Sequence, residues 1–418
     1  MMNYKNKKNI NCNFKNFNSY NHKEISAAVK VIKSGKLSSF IGAPKKGLKG
    51  GMYVEKFEKK IQSFFKTKYA VTVNSWTSGL VCAVGAIGID PGDEIIVPTW
   101  TMSACAAAVL HWNGIPIFAD IETETFCICP KSIEKNITKK TKAIIVVDIF
   151  GHPANYFEIK KIAKKYNLKI ICDAAQSPGS KYFGKYSGTV GDIGGFSFNY
   201  HKHIHTGEGG VIVTNNKKYA QRMKLIRNHA EAVMPKNSTK SELVNMLGHN
   251  FRMGEIEAAI GIEQLAKLNK IVKKRKFISK ILINELSKLK YIKLPIIKKK
   301  CTHVFYAFPV VLEDALINKR DVIIKLLNRY GLNKIAKGYQ NLHLQPIYQK
   351  KICYGKKNFP WSLSKNKINY KKGICPNAEK LHSYSFFSFG ISFYDLNKQD
   401  VFNISKIFKK TWGNIGLL

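Results

Sequence analysis

Apolar residues fall into two alternating rhythms along this chain. Short, mostly apolar runs occupy residues 70–73, 94–98, 115–119, 143–149 and 169–172, and runs of that length read as strands buried on both faces. Between them, residues 79–88, 103–112 and 157–165 read as helices. Strand, helix, strand in this order predicts an α/β fold: a large domain built on a mostly parallel sheet covered on both sides. Upstream, Ile25, Val29 and Ile32 lie at helical spacing, as do Val54, Phe57, Ile61 and Phe64. The glycine-rich stretch SSFIGAPKKGLKGG separates these two helices. After Asp173 come shorter strands at 194–198 and 210–214. A long helix follows near 255–271, with Ile256, Ala259, Ile260, Ile262, Leu265 and Leu268 as its apolar stripe.

Beyond about residue 275 the pattern changes. Residues 304–311 read as a strand, 319–330 as a helix, 347–373 as a polar loop and 398–412 as a last helix, which together predict a smaller α+β domain. The expected organisation is a mobile leader over 1–20, a catalytic domain over 21–275 and a C-terminal domain over 276–418.

Composition changes this picture little. A net charge of +42 raises the prospect of a polyanionic partner. The lysines are spread along the whole chain, however, and no nucleic-acid-binding motif accompanies them. Clusters such as Lys139–Lys140, Lys273–Arg275 and Lys298–Lys300 therefore read as solvated faces. Nine cysteines without a CxxC pair suit neither a disulfide framework nor a zinc site and fit reduced thiols in a cytoplasmic enzyme. Neither a signal peptide nor a membrane span is expected.

The chemistry concentrates between residues 74 and 255. In IICDAAQSPGS, Asp173 ends an apolar strand, where a side chain enters the crevice in which open α/β sheets bind ligands; an ordinary N-cap aspartate is the competing reading. Some thirty residues on, GGFSFNYHKHIHTGEGG carries Ser197 and Lys202 from a strand into a glycine-bearing turn. A lysine desolvated there has a lowered pKa and becomes a nucleophile. In VNSWTSGL, the Ser75 and Thr77 hydroxyls and the Trp76 and Thr77 amides open a helix and make an anion cup, or simply a Ser/Thr cap. A lysine, a carboxylate, a phosphate cup and a flat neighbour are what pyridoxal phosphate requires of a protein.

The ordered set NSWTS, VPTWT, FADI, DAAQ, FSFNYHK, GEGG, RNH and GHNFRMGEIEAAIG resembles the DegT/StrS-type nucleotide-sugar aminotransferases, fold-type-I enzymes with pyridoxal 5'-phosphate as cofactor. The resemblance implies that Lys202 carries the cofactor and acts as the catalytic base, and that Asp173 pairs with the pyridine nitrogen. It places Gln176 beside the ring hydroxyl, and Ser197 with the amides of Trp76 and Thr77 on the phosphate. Asn250 is implied to reach the phosphate of a neighbouring subunit, with Arg252 close by, so a homodimer with shared sites follows. Trp76 stands where a glycine is usual, which directs its indole toward the substrate pocket. Ring stacking is assigned to Trp100, with Met102 as the neighbouring option. His201, His203 and His229 are expected to line the substrate pocket, and His201, His203 and His205 are not expected to hold a metal. Relatives acting as sugar dehydratases carry histidine at the lysine position; counting back from GEGG, that position is Lys202, which favours amine transfer. The activity implied is transfer of an amine from glutamate or glutamine to a nucleotide-linked keto-deoxysugar, for a surface polysaccharide such as lipopolysaccharide. A dehydratase, a cyclitol aminotransferase and a catalytically silent polyanion binder are the alternatives.

Overall fold

The structure is a computed structural model and describes residues 13–43 and 47–416. Two amphipathic helices, α1 (His22–Lys33) and α2 (Met52–Phe65), precede the sheet. Asn21 and Glu24 close α1 with a reciprocal capping box. The alternating segment then gives β1 (Tyr69–Val73), α3 (Trp76–Ile87), β2 (Glu94–Pro98), α4 (Ala104–His111) and β3 (Ile115–Ala119). It continues through α5 (Pro130–Lys135), β4 (Thr141–Val147), α6 (Tyr156–Lys165) and β5 (Lys169–Asp173). A small hairpin, β6 (Lys181–Tyr182) and β7 (Lys185–Tyr186), leads to β8 (Ile193–Ser197) and β9 (Gly210–Thr214).

Seven of these strands form one sheet in the order β1-β9-β8-β5-β4-β2-β3. Only β9 runs against its neighbours, so the sheet is mostly parallel, and its central strands are buried on both faces as continuous apolar runs require. The helices α7 (Lys217–Arg227), α8 (Ala230–Val233) and α9 (Lys240–Leu243) lead to α10 (Glu255–Leu286). This 32-residue helix carries residue 275 in its interior, so the chain does not break where the composition shifts.

The C-terminal part holds a second sheet of four strands, β10 (Ile292–Lys293), β11 (Phe308–Leu312), β12 (Ile335–Ala336) and β13 (Phe386–Phe389), in the order β10-β11-β13-β12. Its core packs Phe308, Val310, Phe387 and Phe389 against Leu282, Ile404 and Trp412. The strand expected over 304–311 begins only at Phe308, because Phe305 has a φ of 52° and turns the preceding residues out of extended geometry.

Two expectations are corrected here. The part of the expected mobile leader that is described is anchored. Phe14 is buried, Phe17 N donates to Phe393 O, and Ser19 Oγ donates to Gln264 Oε1 at 2.7 Å. Residues 1–12 lie outside the described residues. The cluster Lys273–Arg275 is not wholly a solvated face either. Arg275 is buried, stacks on Phe17 and donates to Ser392 O, because the α10 face that carries it meets the C-terminal part.

Candidate active site

Asp173 is the last residue of β5, and its carboxylate is buried at the strand's C-terminal end. Three donors hold it. Trp76 Nε1 donates to Oδ1 at 2.7 Å, Ala175 N donates to Oδ1 at 3.0 Å, and Cys105 Sγ donates to Oδ2 at 3.2 Å. Burial raises its pKa, and these bonds together with the Lys202 charge work against that rise.

Lys202 follows β8 in a tight turn in which its N–H donates to Asn199 O. It is 9% exposed. Burial lowers its pKa to about 8, opposed by the charge of Asp173. Its Nζ lies 4.7 Å from the centroid of the Tyr306 ring, and no carboxylate bonds it among the described residues. A buried amine facing an aromatic ring beside a buried carboxylate can serve as a nucleophile and a proton carrier at neutral pH.

The anion cup forms at the N-terminus of α3. Ser75 is the N-cap, and its Oγ accepts from Ser78 N at 3.1 Å. The Trp76 and Thr77 amides stand in the first turn, where a helix has no acceptor of its own for them. Ser197 is buried at the end of β8, and its Oγ accepts from Asn199 N. Gln176 is fixed at both ends of its amide: Oε1 accepts from Phe150 N at 2.8 Å, and Nε2 donates to Tyr339 Oη at 2.9 Å.

Several expected site residues lie elsewhere than their roles require. The Trp76 indole does not reach a substrate pocket; it turns under α3 to Asp173, into space left by Gly79 and Gly195, where any Cβ would collide with its ring. Trp100 has no free face for stacking. It is fully buried between Phe126, Phe150 and Phe386, and its indole donates to Tyr339 O. Met102, two residues on, is exposed. His203 is also fully buried and its Nε2 donates to Val304 O, which leaves no surface for a substrate. His205 bonds Tyr20 instead, so the three alternating histidines diverge. His201 is half-buried beside Tyr306, and burial and the Lys202 charge lower its pKa to about 4. His229 and Arg252 both flank Gly42 of the glycine-rich loop, and Arg252 Nε donates to Asn228 Oδ1. Asn250 is exposed on the segment whose next residue, Phe251, accepts from Asn74 N beside the cup.

Cys105, Tyr306 and Tyr339 belong to the site without having been anticipated. The two tyrosines come from beyond α10, and nothing in their local sequence announces that the fold returns them to Lys202 and Gln176.

A family model described as the DegT/DnrJ/EryC1/StrS aminotransferase family matches residues 23–377. GDP-perosamine synthase of Escherichia coli O157:H7 is 35% identical over 304 residues, which cover 72% of this chain and 80% of that protein. The 3-oxo-glucose-6-phosphate:glutamate aminotransferase of Bacillus subtilis is 33% identical over 74% of this chain and 66% of its own length. Among solved structures, NtdA from Bacillus subtilis with bound cofactor PMP superposes with a TM-score of 0.75 at 29% identity, covering 93% of this chain and 81% of that one.

Proposed function

The chain belongs to the DegT/DnrJ/EryC1/StrS aminotransferase family of pyridoxal-phosphate enzymes, and from that premise we propose that it moves an amine from glutamate or glutamine to the keto carbon of a nucleotide-linked deoxysugar. The observation that carries this reading is the buried Lys202–Asp173 pair at the sheet's C-terminal end. The residues fit the cofactor. A carboxylate with one oxygen saturated by N–H donors keeps capacity on the other, a lysine that no carboxylate bonds among the described residues lies near enough to act on it by charge, and the first-turn amides of α3 open the cup. When bound, pyridoxal phosphate supplies an electron sink that loosens a proton on the carbon attached to the reacting nitrogen.

The chain's own residues do the rest. Lys202 holds the cofactor, and its Nζ, once free, takes the proton from the donor's α-carbon and returns it on the opposite side of the reacting nitrogen. Asp173 holds a proton at the ring nitrogen. Gln176 has one amide hydrogen left for the ring hydroxyl, since its other groups are committed. Ser75, Ser197 and the amides of Trp76 and Thr77 bind the phosphate, and Asn250 of a second subunit completes the cup. Met102, exposed two residues on from the buried Trp100, is the option left for the ring face. Tyr306, with His201 beside it, lies against the Lys202 amine.

Two relatives support the reading by their names alone: a GDP-perosamine synthase supports a nucleotide-linked sugar, and a 3-oxo-glucose-6-phosphate:glutamate aminotransferase supports glutamate as the donor to a keto-sugar. The surplus of 42 positive charges favours capture of a pyrophosphate-bearing sugar. The test is mass spectrometry of products from a panel of nucleotide-linked keto-sugars supplied with ¹⁵N-glutamate. A sugar that gains ¹⁵N supports the proposal. Loss of water without gain of nitrogen, or no product on any member, overturns it.

A further inference from the structure

Asp173 has a partner that the reading above leaves without a purpose. Trp76 occupies a helix N-terminal position where a small residue would serve the phosphate equally well, since only its backbone N–H is needed there. Its indole is accommodated at a structural cost. A Cβ on Gly195 would stand 2.0 Å from the ring, and one on Gly79 would stand 2.6 Å away, so the two elements packed on the ring, β8 and α3, are held to glycine beside it. What the ring gains is a single polar contact, Nε1 to Asp173 Oδ1 at 2.7 Å, in a buried setting. An indole N–H only donates. It therefore favours the ionised carboxylate over the neutral one, and it does so more strongly where water is excluded.

Resting on the assignment of Asp173 as the ring-nitrogen partner, we infer that Trp76 is a positioning residue that keeps Asp173 ionised and aims its second oxygen at the cofactor's pyridine nitrogen. Cys105 Sγ, on α4, is the weaker donor on the opposite side, 3.2 Å from Oδ2, and yields that oxygen to a stronger cationic donor. Lys202, Cys105, Tyr339 and Asp148 are the titratable groups that face Asp173. None of the four bonds Oδ1, so among the described residues the indole and the Ala175 amide fix that oxygen.

The inference predicts a graded response. Trp76→Phe keeps an aromatic ring at the position, deletes the N–H and gives up the outer indole carbons that lie against Gly195. With its carboxylate more basic, Asp173 holds more of the proton it shares with the ring nitrogen. The Lys202 nitrogen, when joined to the cofactor, would then keep its own proton to higher pH. Two quantities are read on holoenzyme and on apoprotein titrated with pyridoxal phosphate: the dissociation constant, and the pH at which the visible band titrates. Trp76→Phe is expected to weaken binding about ten-fold, as for loss of one hydrogen bond to a charged acceptor, and to move the band's midpoint upward. In an Asp173→Asn background the same substitution is expected to change neither. Trp76→Gly, which opens a space that water can fill, is expected to fall between wild type and Trp76→Phe in the band's midpoint. If wild type binds the cofactor and Trp76→Phe matches it in both quantities, or if the effect of Trp76→Phe persists in Asp173→Asn, the positioning role is wrong. If wild type itself binds no pyridoxal phosphate, the failure lies with the underlying assignment of the site.

Discussion

Lys202 is one of many lysines in a chain with 69 Lys and Arg residues, yet its surroundings set it apart. Burial against Tyr306 lowers its pKa to about 8, well under the ordinary lysine value of about 10.4. The free amine is the form that captures an aldehyde, so capture of pyridoxal phosphate by the apoprotein is expected to accelerate as pH rises and to level off above an inflection near 8. Stopped-flow absorbance across pH checks this, and an inflection near about 10 would mean the amine is solvated. Lys202 and Asp173 were legible in the sequence because a strand end and a glycine-bearing turn are local features. Trp100 was not. Its indole is claimed by Phe126, Phe150 and Phe386 and by the Tyr339 carbonyl, partners between 26 and 286 residues away that no local pattern reports. Trp76 was half legible: its departure from glycine was visible, but the space for it lies across β8 at Gly195.

At the scale of elements, what joins the N-terminal helices to the sheet is a buried ion pair. Arg227 Nη1 on α7 bonds Glu58 Oε1 on α2 at 2.8 Å, and both side chains are almost wholly buried. The same carboxylate oxygen accepts from Thr72 N on β1, and Arg227 Nη2 donates to Leu48 O within the glycine-rich loop. Arg227→Met leaves Glu58 charged without its partner and is expected to cost about 3–5 kcal/mol of stability. Urea denaturation measures this, and a loss below about 1 kcal/mol would place the pair in solvent. Ser75 caps α3 through Ser78 N, so Ser75→Ala is expected to lose about 1 kcal/mol and to bind pyridoxal phosphate more weakly. Unchanged affinity in a titration of the apoprotein would remove Ser75 from the phosphate cup. Strand positions in the large sheet were readable because parallel strands buried on both faces are continuous apolar runs. The polar stretch 347–373 was not readable as more than a loop. In the structure it docks on the edge strand β3, where Tyr370 Oη donates to Pro116 O at 2.6 Å and accepts from Trp361 Nε1. This covers an edge that would otherwise expose unpaired backbone groups.

For the whole molecule, the alternation of strands and helices foretold an α/β catalytic part and a smaller C-terminal part, while the continuous α10 hides the join between them. No described helix is long and apolar enough to cross a membrane. The proposed sharing of sites between two subunits makes a sharp prediction. Lys202→Ala and Asn250→Ala homodimers are each expected to be inactive or nearly so. Mixing them through mild unfolding and refolding is expected to restore activity, because one site in each mixed dimer then has both residues. No recovery, with mixed dimers shown to form, would place Asn250 in its own chain's site. The central claim, that Lys202 alone among the lysines carries the cofactor, has a direct test. Holoenzyme is treated with borohydride, digested, and searched by mass spectrometry for the pyridoxyl-phosphate mass. That mass is expected on the peptide containing Lys202 and is expected to be absent in Lys202→Ala. The same mass on another lysine, at equal occupancy in wild type and variant, would contradict it.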